Sequence, residues 1–380
     1  MMPLSAEVGK GYNRGMPTLA DTLAARTRPA DPALWERVDG ARVRCFACGH
    51  ECPIPDDAAG VCKVRFNRGG TLFAPWGYVA GAQCDPIEKK PFFHVEPGSL
   101  AFSFGMLGCD LHCAYCQNWV TSLALRDAHA GASVTDVHAD ALVGEAVASG
   151  CRSVVSTYNE PLITSEWAVE VFRLARQAGL RTGFVSNGNG TPRVLQYLAP
   201  WIDMFKVDLK SFDDRQYRTL GGRLEPVVET IRGLHAMGAW VEIVTLLVPG
   251  LNDSPAGLEA LTSFVAGVSP DIPWHVTAFH PDYRMGDRGP TTPDMLVRAA
   301  DIGTRAGLRF VYAGNVAGRL GRLEDTVCPS CDATLVERRA YRIGACRVTR
   351  EGRCHACGVP VPGRWWPDEA PRFGAVDEFR

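Results

Sequence analysis

The sequence predicts an α/β protein: a partial (β/α)6-type barrel of parallel strands with a small cysteine-rich, metal-binding module on each flank. Three observations lead there. Between residues 100 and 320 a helical run, a glycine and a short apolar strand recur in that order, as in "VASGCRSVV", "RQAGLRTGF", "HAMGAWVEI" and "TRAGLRFVY". The strands are unbroken apolar stretches, the mark of strands buried on both faces. Most of the fourteen cysteines fall into three groups, two of them outside the repeating region.

Taken in order, residues 1–40 are weakly patterned and read as an arm with one short helix near Trp35, and residues 41–100 form a module rich in Cys, Gly and Pro. The barrel, 101–320, follows with strands at "SLAFSFGML", "CRSVVST", "RTGFVSN", "IDMFKVDL", "WVEIVTLLV", "PWHVTAFH" and "LRFVYAG". Its helices close at Gly150, Gly179, Gly238 and Gly307, because glycine enters the left-handed C′ conformation without a Cβ penalty. One helix is ended by Pro200 instead. The 165–178 helix sets Trp167, Val171, Leu174, Ala175 and Ala178 on one face. Six or seven strands fall short of the eight of a closed barrel, so the barrel is open. Residues 321–380, ending in "PGRWWPDEAPRFGAVDEFR", form the second module, and both modules fold around metal.

Composition excludes several classes. A net charge of −2 argues against a general nucleic-acid binder. No stretch approaches the ~20 apolar residues of a membrane helix, and "MMPLSAEVGKGYNRG" lacks a signal-peptide core, which predicts a cytoplasmic protein. With 46% hydrophobic residues over 380 positions, the chain builds its core without disulfides, so its cysteines point to metal.

Chemistry in such a scaffold sits beyond the C-terminal ends of the strands. Found there are Cys109, then Tyr158, Asn159 and Glu160, then Ser186 and Asn187, Asp208 and Lys210, Thr245, and His280. "GMLGCDLHCAYCQNW" holds Cys109, Cys113 and Cys116, spaced C-x3-C-x2-C. Three thiolates hold three irons of a 4Fe-4S cluster and leave the fourth open to bind something, as an open position does in catalytic zinc sites. Cys84 and Cys151 are candidates to close that corner, but neither sits in a ligand-type spacing.

That loop, with Tyr115 before its last cysteine, resembles the radical S-adenosylmethionine (SAM) superfamily. The runs "CPIPDDAAGVCKVRFN", "DPIEKKPFFHVEPGS", "CQNW", "TYNEP", "DLKSF", "FHPDY" and "YAGNV" resemble, more narrowly, the AmmeMemoRadiSam-system radical SAM enzymes, relatives of the pyruvate formate-lyase activating enzymes, over about residues 42–365. The resemblance implies that SAM chelates the open iron. One electron, from a flavodoxin- or ferredoxin-type donor, then splits it to methionine and a 5'-deoxyadenosyl radical that takes hydrogen from an unidentified small-molecule or protein substrate. It places Glu160 at the SAM ammonium, with Tyr158 and Asn159 where relatives have two glycines. It places Ser186 and Asn187 at the methionine or ribose, and Asp208 and Lys210 by the SAM carboxylate with a monovalent cation. His280 would contact adenine or substrate. Plainer readings stand beside these: Glu160 as a helix N-terminal charge, Asp208 and Lys210 as a structural ion pair, His280 as a structural histidine.

Cys328, Cys331, Cys354 and Cys357, spaced C-x2-C-x22-C-x2-C, predict a zinc ribbon, with a second iron-sulfur cluster as the alternative. For Cys45, Cys48, Cys52 and Cys62 zinc comes first and a closed electron-relay cluster second, spacing alone not separating them. Cys346 stands apart. Two further functions compete with a radical SAM enzyme: a glycyl-radical activase within the same chemistry, and a non-catalytic iron-sulfur or zinc scaffold.

Overall fold

The computed structural model of the chain describes residues 18–127, 129–316 and 320–366. Seven parallel strands form the centre: β1 (Leu100–Gly105), β2 (Ser153–Ser156), β3 (Arg181–Ser186), β4 (Met204–Asp208), β5 (Trp240–Leu247), β6 (Trp274–Ala278) and β7 (Val311–Gly314). Each pairs with its neighbour in chain order, and no further pairing closes β7 onto the other edge among the described residues. This is an open barrel wound in one direction, as expected. An eighth strand escaped the sequence reading: Gly81–Pro86 pairs antiparallel with β1.

Helices cover the outside. Helix Ser165–Gln177 buries Trp167, Val171, Phe172 and Ala175, while Ala178 lies exposed at its C-cap. Phe172 packs 5.4 Å from Phe184 of β3, which meets Phe205 of β4 at 5.5 Å. Residues one position away on each strand face the lumen, and there the register sets Lys206 beside Glu242 and Val244 beside His275. The glycine stops hold: Gly150, Gly179, Gly238 and Gly307 all have positive φ. The helix before β4 ends at Leu198, and Pro200 lies in the 3-10 turn Ala199–Trp201 that follows it.

The flanks depart from the expected division. Residues 1–17 lie outside the described residues, but 18–40 are no loose arm. Strand Thr27–Pro29 pairs with Thr71–Pro75, and Trp35–Asp39 pairs with Arg42–Cys45. The helix expected near Trp35 is one 3-10 turn, Pro32–Leu34, after which Trp35 opens a strand. Boundaries at 41 and 101 therefore cut through paired strands, because backbone pairing joins segments that composition separates. This N-terminal module has its own small core of Ala30, Val43, Ile54 and Leu72. Its Arg65 and Glu166 of the barrel form a buried bidentate pair, both contacts at 2.7 Å.

The C-terminal module pairs Thr326–Val327, Thr334–Arg339 and Arg342–Cys346, with Leu335, Val336 and Ile343 packed on Phe310 and Tyr312. Buried His94 joins it to the barrel, with Nδ1 2.6 Å from the Pro362 carbonyl and Nε2 2.7 Å from the Tyr312 hydroxyl. Residues of "PGRWWPDEAPRFGAVDEFR" beyond Trp366 lie outside the described residues.

Candidate functional site

The chain leaves β1 at Gly105, where a Cβ would come within 2.4 Å of the Thr157 carbonyl, so only glycine lets the first two loops of the rim touch. Gly108 follows at φ +95°, and a Cβ there would meet Val64 at 2.8 Å and the Cys62 carbonyl at 3.1 Å. The N-terminal module thus rests on the start of the cysteine loop. Cys113 and Tyr115 are buried among Leu111, Leu220, Val248 and Phe279, while Cys109 and Cys116 are half-buried. Burial pushes the Cys113 thiol up to about 11, so the thiolates a cluster needs form only with a cation beside them.

Asp110, directly after Cys109, is fully buried and anchors the loop. Its two oxygens accept from Asn187 Nδ2 and Asn189 Nδ2, each at 2.7 Å. Asn187 Nδ2 also lies 3.9 Å from Cys109 Sγ. Glu160 stands behind this clamp: Oε1 accepts from Ser186 Oγ at 2.6 Å and Leu162 N–H at 3.0 Å, and Oε2 from Asn187 N–H at 2.7 Å. It is also the N-cap of the 3-10 turn Pro161–Thr164. Burial, with the Asp110 carboxylate nearby, pushes Glu160 up to about 8 against the pull of these hydrogen bonds. Before it, Tyr158 sits at φ +71°, a conformation that glycine adopts without strain and tyrosine rarely does.

Lys206 and Asp208 on β4 and Lys210 just beyond its end follow at a spacing of two and meet: Asp208 accepts from Lys206 on one oxygen and from Lys210, at 3.4 Å, on the other. Both ammonium groups hold this carboxyl below its ordinary value despite burial. The trio lines a cavity of about 430 Å³, together with Lys90, Tyr158, His275, Tyr312 and, from the cysteine loop, Gln117 and Asn118. Lys90 Nζ bonds Asp85 at 2.8 Å and lies 3.4 Å from the Tyr158 hydroxyl.

Ser186, Asn187 and Glu160 thus come together behind Cys109, and Asp208 and Lys210 at the lumen. His280 joins neither group: it is exposed and outside the cavity lining. Thr245 is buried, donating to the Leu209 carbonyl and accepting from Trp274 Nε1. Sequence reasoning passed over Lys206, Lys90, Asp110 and Asn189. Lys206 was readable, since the alternation that pairs Asp208 with Lys210 in "KVDLK" reaches one step back. Asp110 and Asn189 carried no such signal, their contact joining residues 79 apart.

In the tail, Cys328, Cys331, Cys354 and Cys357 have all four sulfurs within 4.8 Å of one another, the one such gathering of metal-ligating groups among the described residues. The triplet Cys109, Cys113, Cys116 is more widely spread, which suits a cluster offering one iron per sulfur rather than a single ion. The buried Tyr115 hydroxyl, without a partner, adds a polar atom beside that donor set. Cys346 ends strand Arg342–Cys346, apart from the four.

Comparison with known proteins agrees with this arrangement. The radical SAM superfamily pattern matches residues 105–258. An uncharacterized protein of Methanocaldococcus jannaschii is 34% identical over 330 residues, covering 86% of this chain and 97% of its own. A pyruvate formate-lyase-activating enzyme of Streptococcus mutans is 24% identical over 185 residues, 47% of this chain and 70% of its own. A radical SAM methyltransferase from Sphaerobacter thermophilus aligns over 79% of this chain and 82% of its own, at 15% identity and a TM-score of 0.46, too distant to bear on chemistry. An open parallel barrel with a three-cysteine loop after its first strand is the radical SAM architecture, and this chain belongs to the radical SAM superfamily. Within it, the chain is homologous to the pyruvate formate-lyase-activating enzymes. Membership implies a 4Fe-4S cluster and SAM. No described helix is long and apolar enough to cross a membrane.

Proposed function

We propose that this chain is a radical SAM enzyme of the AmmeMemoRadiSam-system group that cleaves SAM reductively and abstracts hydrogen from a substrate held in the barrel. One observation carries the reading: the three-cysteine loop opens, through Gln117 and Asn118, onto a lysine-lined cavity of about 430 Å³. Cys109, Cys113 and Cys116 would hold the cluster, and with SAM it would supply a 5'-deoxyadenosyl radical.

The chain's own residues do the rest. Asp110, clamped by Asn187 and Asn189, fixes where Cys109 sits relative to β3. Glu160 ties Ser186 and Asn187 to the same point and, by resemblance, faces the SAM ammonium. Lys206 and Lys210 share one carboxylate, so the trio keeps a net positive charge that suits the SAM carboxylate. With both Asp208 oxygens engaged by ammonium groups, positive charge already stands where a monovalent cation would bind. Phe93, Tyr158 and Tyr312 give the lumen aromatic walls, and Lys90, held by Asp85, stands on the same lining as a hydrogen-bond donor for the substrate.

The tail favours zinc. Cys328 and Cys357, and Cys331 and Cys354, have sulfurs 3.7 Å apart. A tetrahedral ion with metal–sulfur bonds of ~2.3 Å needs ~3.8 Å between sulfurs. A glycyl-radical activase remains the second reading, favoured by similarity to the benzylsuccinate synthase activating enzyme of Thauera aromatica, 32% identical over 74 residues.

The test is anaerobic reconstitution followed by dithionite and SAM. Expected are release of 5'-deoxyadenosine and a reduced-cluster EPR signal that changes when SAM binds. A signal indifferent to SAM, with no 5'-deoxyadenosine formed, defeats the enzyme reading. Transfer of a radical to a glycyl-radical protein would decide for the activase.

A further inference from the structure

We propose that Cys45, Cys48, Cys52 and Cys62 hold a second, closed 4Fe-4S cluster that relays electrons to the three-cysteine site. The four cysteines lie in one compact piece of chain. The Cys45 N–H donates to the Cys52 carbonyl at 3.1 Å, and the Val61 N–H to Cys52 Sγ at 3.5 Å. Cys45, Cys48 and Cys62 are buried and Cys52 is half-buried.

The protein contains its own standard of comparison. In the tail, four sulfurs converge to the spacing of a single tetrahedral ion. In the N-terminal module, no three of the four sulfurs gather within the same 4.8 Å. A cube with one iron per sulfur suits the wider arrangement better than a single tetrahedral ion does.

A second observation points into the same place. Arg65 is 1% exposed, and its terminal nitrogens are satisfied by Glu166 and the Ile163 carbonyl. Its Nε has no partner among the described residues. The Gly60 N–H donates to the Arg65 carbonyl at 2.9 Å, and a Cβ on Gly60 would stand 3.6 Å from Cys52 Sγ and 3.7 Å from that carbonyl, so Arg65 belongs to the same fold of chain as the sulfur set. Buried unpaired N–H groups are rare and call for a partner. Cluster sulfurs accept such hydrogen bonds.

The relay role follows from what the module touches. Arg126 Nη2 donates both to the Val61 carbonyl, next to Cys62, and to the Cys109 carbonyl. His50 Nε2 lies 3.1 Å from the Asp110 carbonyl, and the Gly49 N–H donates to the Asn189 carbonyl at 2.8 Å. One guanidinium thus bridges backbone beside one cysteine set to backbone of the other. The relay cluster takes one electron from a one-electron protein donor, or from dithionite in vitro. It passes that electron to the three-cysteine site and returns to its oxidised state, with no bond made or broken. This role rests on the radical SAM reading; the presence of the cluster does not.

The experiment uses the full chain, reconstituted anaerobically with iron and sulfide. Wild type should carry about eight irons rather than about four, in two Mössbauer-distinct clusters. The triple variant Cys109→Ala, Cys113→Ala, Cys116→Ala should keep about half that iron, with a dithionite-reduced EPR signal that SAM leaves unchanged. In the double variant Cys45→Ser, Cys48→Ser, the SAM-sensitive signal should persist but its site should be reduced more slowly. A triple variant without iron, or with zinc in place of the second cluster, overturns the cluster. Should the double variant misfold, the wild-type iron count still decides. A second cluster whose loss leaves the reduction rate unchanged overturns the relay, and a relay found without SAM cleavage counts against the enzyme reading alone.

Discussion

The hydroxyl of Ser186 donates to Glu160 Oε1 at 2.6 Å, tying the end of β3 to the turn that follows β2. With the Asn187 and Leu162 amides also on this carboxylate, Glu160 is a structural clamp whether or not it also meets SAM.

Glu160→Gln should therefore lower thermal stability, because the amide sets an N–H against one of three donors in a buried place; the loss is on the order of 1–3 kcal/mol. If Glu160 also binds the SAM ammonium, 5'-deoxyadenosine released per intact cluster should fall as well. Wild-type release per cluster in a destabilised variant would leave Glu160 as a clamp only.

Asp208→Asn should weaken SAM binding, since it leaves Lys206 and Lys210 facing each other without the shared carboxylate. Wild-type protein should cleave SAM equally well in potassium and choline chloride buffers, because the two ammonium groups already supply the charge. A requirement for potassium would instead assign a bound cation to Asp208.

Cys328→Ser should release about one zinc per chain and expose the tail to protease, since so small a module folds mainly on its metal. Zinc content by mass spectrometry of the metal, unchanged by this substitution, would remove the ribbon assignment.

His94 makes the attachment of the tail sensitive to acid. Burial lowers it from 6.5 to about 4. Between those values the unfolded chain takes up a proton that the folded chain does not, so stability is intact above pH 6.5 and falls as pH drops toward 4. The loss is at most roughly 3 kcal/mol. Urea unfolding at pH 7.5 and pH 5 should show it, and His94→Gln, which cannot titrate, should flatten the difference. Equal slopes in both proteins would exclude His94 as the source.

The barrel was legible because buried parallel strands leave continuous apolar runs and their helices stop at glycine, both local properties. Gly81–Pro86 was not, because an antiparallel edge strand with exposed Ala82 and Gln83 has no such run. The cysteine sets were readable as ligands from spacing alone, since chelation by one loop is a short-range geometry. Whether their sulfurs stand close, as in the tail, or apart, as in the N-terminal module, depends on how distant backbone packs around them.

By itself, then, the sequence determined the open α/β barrel, the three-cysteine loop after its first strand and the two four-cysteine sets, because each is encoded within a few neighbouring residues. Only the tertiary structure decided that Asp110 is held by Asn187 and Asn189, that Glu160 is tied to Ser186, that Lys206 joins Asp208 and Lys210 in a lysine-lined lumen, and that Arg65 is clamped by Glu166. Most of these contacts join segments far apart in the chain. Their partners are chosen by strand register and by the need to satisfy polar groups once they are buried, and neither condition exists until the chain has folded.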